Sequence, residues 1–137
     1  MEQLALGSAS FYVRDVPATV EFYQRAFGIP MRYLHPSRGY AELATGATLL
    51  AFVSEDFLST TRLLGETRVT CARPGEPPIG AQIALVSHDL DRDWLRAIEA
   101  GAIVLKPPEP KPWGQTVGYL LDLNGVIVEL CTPSPRD

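Results

Sequence analysis

Two polar side chains stand in strand-like runs that are otherwise apolar, and they are the residues best suited to chemistry. Glu129 lies in the run 126–130 and Gln82 opens the run 82–86. A carboxylate in such a strand must find water, a hydrogen-bond donor or a ligand cation, because burying it unpaired is costly. Glu129 can therefore bind a ligand, act as a general base, or accept a hydrogen bond from a neighbour such as Gln82 or Tyr12.

These two residues also belong to an internal repeat. Residues 8–15 (SASFYVRD) and 82–89 (QIALVSHD) each lead into a helical pattern, so that Ser8 is the counterpart of Gln82. Later in each copy a tyrosine precedes a glycine turn by the same step, Tyr40 before Gly46 and Tyr119 before Gly125. A chain built from two copies usually places its site between them.

In the first copy, residues 5–13 alternate in polarity with the period of a strand. Asp15 is a helix N-cap and Gly28 a helix end, with an apolar stripe between them at Val16, Val20, Tyr23 and Phe27. Three further strands are predicted over 30–35, 39–44 and 47–53. Residues 54–80 break the pattern, apart from a possible short helix over 56–64.

The second copy repeats this order. A strand over 82–86 leads to a helix capped by Asp89 or Asp91, with a stripe at Leu90, Trp94 and Ile98, and then to a short strand over 102–105. The proline-rich segment 106–113 is predicted to be neither helix nor central strand, because proline removes backbone donors. A hairpin of strands 115–121 and 126–131 follows.

These patterns predict an α+β fold of two βαβββ modules, with curved mixed sheets around a cleft and helices outside. Module one is expected over 1–56, a linker over 57–80 and module two over 81–137. Strand parity assigns side chains to the cleft face, and Trp113 to its rim. The expected cleft residues are Ser8, Ser10, Tyr12, Tyr40, Glu42, Gln82, Ala84, Val86, Ile127, Glu129 and Cys131.

Composition excludes several classes of protein. The net charge is −4, and Arg14, Arg25, Arg32 and Arg38 are scattered as solvated surface charges, so no nucleic-acid partner is expected. No apolar run is long enough for a membrane span, and no signal-peptide pattern opens the chain. We therefore expect a cytoplasmic protein in which Cys71 and Cys131 are free thiols, although the sequence leaves a disulfide open.

The order of elements and several motifs resemble the vicinal oxygen chelate superfamily, which includes glyoxalase I, extradiol dioxygenases and bleomycin-binding resistance proteins. The motifs that carry this resemblance are Tyr12-Val-Arg-Asp15, Phe22-Tyr23, Phe27-Gly28, Pro112-Trp113-Gly114-Gln115 and Tyr119-Leu-Leu-Asp122-Leu-Asn-Gly125-Val-Ile-Val-Glu129-Leu130. The resemblance implies a homodimer and, in the enzymes of the group, a divalent metal held by the first and last strand of each module.

Transferred to this chain, the four metal-ligand positions are Ser8, Leu50 or Ala51, Gln82 and Glu129. One carboxylate and one amide fall short of a zinc or nickel site, which needs three or four strong donors. His35 and His88 are interpreted as loop and cap residues. A rescue by Glu42 or by a partner subunit stays open, but no metal and no other cofactor is expected.

The resulting hypothesis is a metal-independent protein that sequesters a flat or amphipathic small molecule in the cleft. Its expected ligand-binding residues are Ser8, Tyr12, Tyr40, Gln82, Trp113 and Glu129. Catalytic residues are not assigned. The alternatives are a metal-dependent lyase, isomerase or dioxygenase of the same superfamily, and a metal-free isomerase or epimerase with Glu129 as its general base.

Overall fold

The computed structural model describes residues 2–136, which form two open four-stranded sheets and three helices. The elements in chain order are β1 (Ser8–Val13), α1 (Val16–Phe27), β2 (Met31–Leu34), β3 (Tyr40–Leu43), β4 (Leu49–Ser54), α2 (Glu55–Thr61), β5 (Gln82–Val86), α3 (Leu90–Glu99), β6 (Ile103–Pro110), β7 (Thr116–Leu121) and β8 (Ile127–Cys131). The strand orders are β1-β4-β3-β2 and β5-β8-β7-β6. The α+β class and the two βαβββ modules are therefore confirmed.

Two compact units divide the chain. Residues 2–24 and 28–71 form one unit, and residues 25–27 and 72–136 form the other. Each sheet is mixed, because its first and last strands pair in parallel while its other pairs are antiparallel. The module and linker boundaries expected from the sequence stay a prediction.

In the first unit, α1 is held by the features that its sequence predicts. The Asp15 carboxylate accepts a hydrogen bond from the Ala18 amide at 3.0 Å, and Gly28 ends the helix with a φ of 69°. The stripe residues Val16 and Tyr23 are fully buried, and the Tyr23 ring lies 5.1 Å from that of Phe52 on β4. The apolar core of this unit therefore lies between α1 and one face of the sheet.

In the second unit, α3 packs less completely. Asp89, one of the two caps expected, accepts from the Arg92 amide at 3.3 Å, and Ala97 is fully buried. Ile98 was expected in the buried stripe but is exposed, as is Leu95. The part of α3 that faces the sheet is formed instead by Ala97 and Trp94, whose ring lies over Gly118.

The proline-rich segment departs in part from its expected structure. β6 continues past Leu105 to Pro110, whereas the sequence predicts a short strand that ends at residue 105. The prolines are tolerated because β6 is the edge strand, and its pairing with β7 has two register shifts. The absence of a helix or central strand in this segment is confirmed.

The possible short helix over 56–64 is present as α2, and it overlaps the start of the segment that the sequence predicts to be a linker. α2 starts at Glu55, and Ser54 caps it by accepting from the Phe57 amide at 2.9 Å. Residues 62–81 contain no further helix or strand. Over residues 2–136 none of the helices has the length and apolar character that crossing a bilayer requires.

Candidate functional site

Strand register fixes which residues of the first unit share a sheet face. Phe52 faces α1, so its neighbour Ala51 lies on the opposite face, here called the open face. Ala51 pairs with Ser10 on β1 and with Glu42 on β3. Leu50 is on the helix side and buried, so Ala51 rather than Leu50 is the counterpart of Glu129.

The remaining open-face residues of this sheet follow from the same pairing. Ser8 pairs with Leu49 at the exposed end of β1. Tyr12 and Tyr40 both pair with Val53, from opposite sides. The structure thus brings Tyr12 and Tyr40 into one row, and places Ser8 at the far end of the same face.

The open face of the second sheet has the same arrangement. Gly118 lies under Trp94 of α3, so Tyr119 lies on the opposite face. Glu129 pairs with Ala84 and with Tyr119, and Gln82 pairs with Ile127. Gln82 and Glu129 therefore share the open face of module two, as their spacing predicts.

Glu129 is surrounded by neutral hydrogen-bond donors. The Gln82 amide donates to one carboxylate oxygen at 3.2 Å. Burial, together with the charge of Glu129 and a hydrogen bond to it, raises the pKa of the Tyr119 phenol. Burial and a hydrogen bond to Glu129 raise the pKa of the Cys131 thiol to about 11. These three side chains are neutral hydrogen-bond donors, so they stabilise the Glu129 carboxylate without providing a compensating positive charge.

In module one the carboxylate lies on a different strand and is paired with a cation. Glu42 of β3 forms an ion pair with Arg32 and accepts a hydrogen bond from the Tyr40 hydroxyl at 2.8 Å. Burial, followed by this hydrogen bond, raises the pKa of Tyr40. The Tyr33 ring lies 6.3 Å from that of Tyr40.

Sequence reasoning missed Arg32 and Tyr33, which both approach this group although they are adjacent in the chain. A register shift between Met31 and Tyr33 interrupts the alternation of β2, and such irregularities carry no clear sequence signal. The suggested equivalence of Tyr40 and Tyr119 is also wrong in register. Glu42, not Tyr40, occupies the place of Tyr119, because the two turns differ in length.

Trp113 is an exposed aromatic side chain in a fixed orientation. Its indole N–H donates to the Gln115 side-chain oxygen at 2.9 Å, and the Gln115 amide donates to the Thr132 carbonyl at 2.8 Å. The ring itself is 56% exposed. Gly114 has a φ of +99°, and a Cβ there would lie 2.6 Å from Pro135. The ring is thus held by its neighbours and open on its surface.

The donor set does not fit the metal that enzymes of this fold hold. Ser8 and Ala51 of module one offer no strong ligand, and Gln82 directs its amide nitrogen at Glu129. Within residues 2–136, no three residues among the His, Cys, Asp and Glu side chains come together as an ion site. His35 is a loop residue whose Nδ1 accepts from the Ser37 amide at 3.0 Å.

The fold and these open faces define a glyoxalase-like protein, and the chain belongs to the Glyoxalase/Bleomycin resistance protein/Dioxygenase superfamily, whose family model matches residues 5–130. Among curated proteins it is similar to the uncharacterized protein YraH of Bacillus subtilis (strain 168). The two are 24% identical over 119 residues, which cover 86% of this chain and 90% of that protein.

Solved structures show the same fold at low identity. TioX from Micromonospora sp. ML1 matches with a TM-score of 0.68 and 23% identity, over 93% of this chain and 98% of that one. A protein of unknown function from Agrobacterium tumefaciens str. C58 matches with a TM-score of 0.75 and 18% identity, over 97% of both chains. These likenesses support the fold alone, because fold does not determine activity.

Proposed function

We propose that this chain is a metal-independent small-molecule-binding protein that sequesters a flat or amphipathic ligand. The observation that carries the proposal is the state of Glu129. This half-buried carboxylate accepts hydrogen bonds from Gln82, Tyr119 and Cys131, and no cation pairs with it within the described part of the chain. A ligand with a positive charge or a strong hydrogen-bond donor would pair with this carboxylate.

The aromatic side chains support the proposal that the ligand is flat or amphipathic. Trp113 presents an exposed ring whose polar atom is already bonded, so stacking a flat ligand on it leaves no buried donor unpaired. On the open face of module one, Tyr12 and Tyr40 add aromatic surface, and Ser8 adds a hydroxyl. The cleft in which these groups would meet one ligand stays a prediction.

Metal independence rests on the chemistry of the donors. A divalent ion of the zinc or nickel type needs three or four nitrogen, sulfur or carboxylate ligands. The four positions taken over from the family supply one carboxylate, one amide, one hydroxyl and one methyl group. No step through a metal is therefore derived.

We further propose that the protein is a cytoplasmic homodimer. Its support is a set of large apolar side chains left exposed on module two, namely Leu95, Ile103, Val104 and Leu105. Exposed apolar surface of this kind is typical of an interface. Sedimentation at micromolar concentration should show a dimer, and a monomer at all concentrations would remove this part of the proposal.

Binding is tested with two flat probes of opposite charge, the cation acridine orange and the anion 8-anilinonaphthalene-1-sulfonate. The protein is stripped with excess EDTA and carries Trp94→Phe, so that Trp113 alone reports by fluorescence. We expect saturable binding of acridine orange in EDTA, weaker binding of the anion, and a change in Trp113 emission.

Three results would contradict the proposal. The first is stoichiometric zinc, nickel, iron or manganese in the purified protein that is lost in Glu129→Ala, which would favour the metal-dependent enzyme. The second is the absence of saturable binding by either probe. The third is an affinity for acridine orange that is unchanged in Glu129→Gln, which would remove the role of Glu129.

A further inference from the structure

Two arginines that are distant in the sequence line one groove on the first unit. Arg14 follows β1 and Arg38 lies in the loop between β2 and β3, and both border a groove of about 410 Å³. The groove lies at the edge of the sheet where β1 and β4 end, separate from the open-face residues. The sequence interpretation of both arginines as scattered surface charges misses this convergence.

Neither guanidinium is engaged by another residue in the part of the chain that the structure describes. Among residues 2–136, Arg32 pairs with Glu42 and Arg62 with Glu66, whereas no hydrogen bond or ion pair engages the side chain of Arg14 or Arg38. This is notable because Asp15 and Asp56 also line the groove. The two arginines thus form no ion pair with these carboxylates, although all four residues line the same groove.

The loop that carries Arg38 is fixed by its own hydrogen bonds. The Ser37 amide donates to His35 Nδ1 at 3.0 Å, the Gly39 amide donates to the Ser37 hydroxyl at 3.1 Å, and the Arg38 amide donates to the His35 carbonyl at 2.8 Å. Arg38 itself has a φ of 64°, a conformation that favours glycine or asparagine. Positions of this kind concentrate at functional sites.

Arg62 provides an internal comparison, since it is the other non-glycine residue in the left-handed region among those described. It ends α2, and its guanidinium is occupied by Glu66. A left-handed arginine is therefore not unusual in this chain by itself. What distinguishes Arg38 is that its guanidinium has no partner among the described residues, whereas that of Arg62 is paired with Glu66.

We propose that this groove binds the oxyanion of a small ligand, a phosphate or a carboxylate, through Arg14 and Arg38. Arginine suits both groups because its planar donors match two oxygens at once. The hydroxyls of Ser37 and Thr60 line the same groove.

The test is an NMR titration of the ¹⁵N-labelled protein with inorganic phosphate and, separately, with acetate, against sodium chloride at equal ionic strength. We expect saturable shifts of the Ser37, Arg38 and Gly39 amides with at least one oxyanion and none with chloride. The oxyanion that binds more tightly identifies the source, phosphate ester or carboxylate. No saturable shift with either, or equal shifts with chloride, would overturn the proposal.

Four variants separate the groove from general surface charge. Arg38→Asn keeps a residue that tolerates the backbone conformation, and it should weaken binding about tenfold, as should Arg14→Gln. Asp56→Asn removes a repelling charge and should strengthen binding about threefold. The matched control Arg62→Asn removes the same charge from a residue with a similar backbone conformation, and it should leave the oxyanion affinity unchanged. A loss in Arg62→Asn as large as that in Arg38→Asn would overturn the proposal.

Discussion

The open faces of the two sheets are built on one plan but treat their carboxylates differently. The row Ser10–Ala51–Glu42 of module one corresponds to the row Ala84–Glu129–Tyr119 of module two. The carboxylate lies on β3 in one module and on β8 in the other. In module one it is neutralised by Arg32, whereas in module two it is held only by neutral donors.

This difference shows how two copies of one fold can come to differ in charge. Two copies with the same hydrogen-bonding frame need not carry the same charge at the same place. In module one the carboxylate of Glu42 is already paired with a cation, whereas in module two the carboxylate of Glu129 accepts only from neutral donors. Substitutions at corresponding positions of the two modules test this comparison.

The largest effect is expected at Gly118, whose counterpart in module one is Ala41. A Cβ at Gly118 would lie 2.5 Å from the Trp94 ring, so Gly118→Ala should lower the free energy of unfolding by about 2–3 kcal/mol. Urea denaturation measures this. Glycine to alanine in an open strand stabilises, so an increase in stability would show that Trp94 does not constrain this position. The reverse change Ala41→Gly should cost about 1 kcal/mol.

The second effect concerns pH and Cys131, whose counterpart is Val53. The folded thiol has a pKa of about 11 against an ordinary value of 9.0, so the folded state holds its proton where the unfolded state loses it. Stability should therefore fall by about 2 kcal/mol as the pH rises from 9 to 11.

Cys131→Val gives module two the residue of module one and should remove this part of the pH dependence. Thermal unfolding at pH 8, 9, 10 and 11 compares the two proteins. The Tyr40 phenol titrates in both proteins and cancels in the difference, whereas the charge of Cys131 contributes to the raised pKa of Tyr119, so a part of the difference comes from that phenol. Parallel curves for the two proteins would contradict the raised thiol pKa.

The third effect is on ligand binding. Glu129→Gln should weaken the binding of acridine orange about tenfold, because it removes the negative charge of Glu129 while keeping the shape of its side chain. The matched variant Glu42→Gln should change binding less than twofold, since Arg32 already neutralises Glu42. Fluorescence titration of both variants in EDTA measures the contrast. Equal losses in the two would mean that the modules do not differ in the proposed way.

The smallest difference is expected between the two helix caps. Asp15→Ala and Asp89→Ala should each lower the free energy of unfolding by about 1 kcal/mol. The loss should be larger at Asp15, whose hydrogen bond is 3.0 Å long against 3.3 Å at Asp89. Chemical denaturation of the two variants would sharpen the comparison, and a larger loss at Asp89 would reverse the order.

Much of the fold was predictable because local signals agree with it. The caps Asp15 and Asp89 and the alternation of β1 each determine a neighbouring element. The pairing of Gln82 with Glu129 on one face also follows from strand parity alone.

What the sequence could not predict depends on irregular pairing and on position within a sheet. The register shift in β2 brings Arg32 and Tyr33 to Glu42, and the edge position of β6 allows its prolines. The convergence of Arg14 and Arg38 results from the topology, which brings the end of β1 beside the β2–β3 loop. Binding roles for Ser8, Tyr12, Tyr40, Gln82, Trp113 and Glu129 stay predictions.

The anchoring of the Trp113 loop by the C-terminal segment has an evolutionary consequence. Thr132 and Pro135 lie after the last strand, and they contact Gln115 and Gly114, the two residues that follow Trp113. Pro135 belongs to neither sheet, so substitutions there can change the orientation of the Trp113 ring without replacing a residue of the sheets. The exposed aromatic surface can therefore vary during evolution separately from the core.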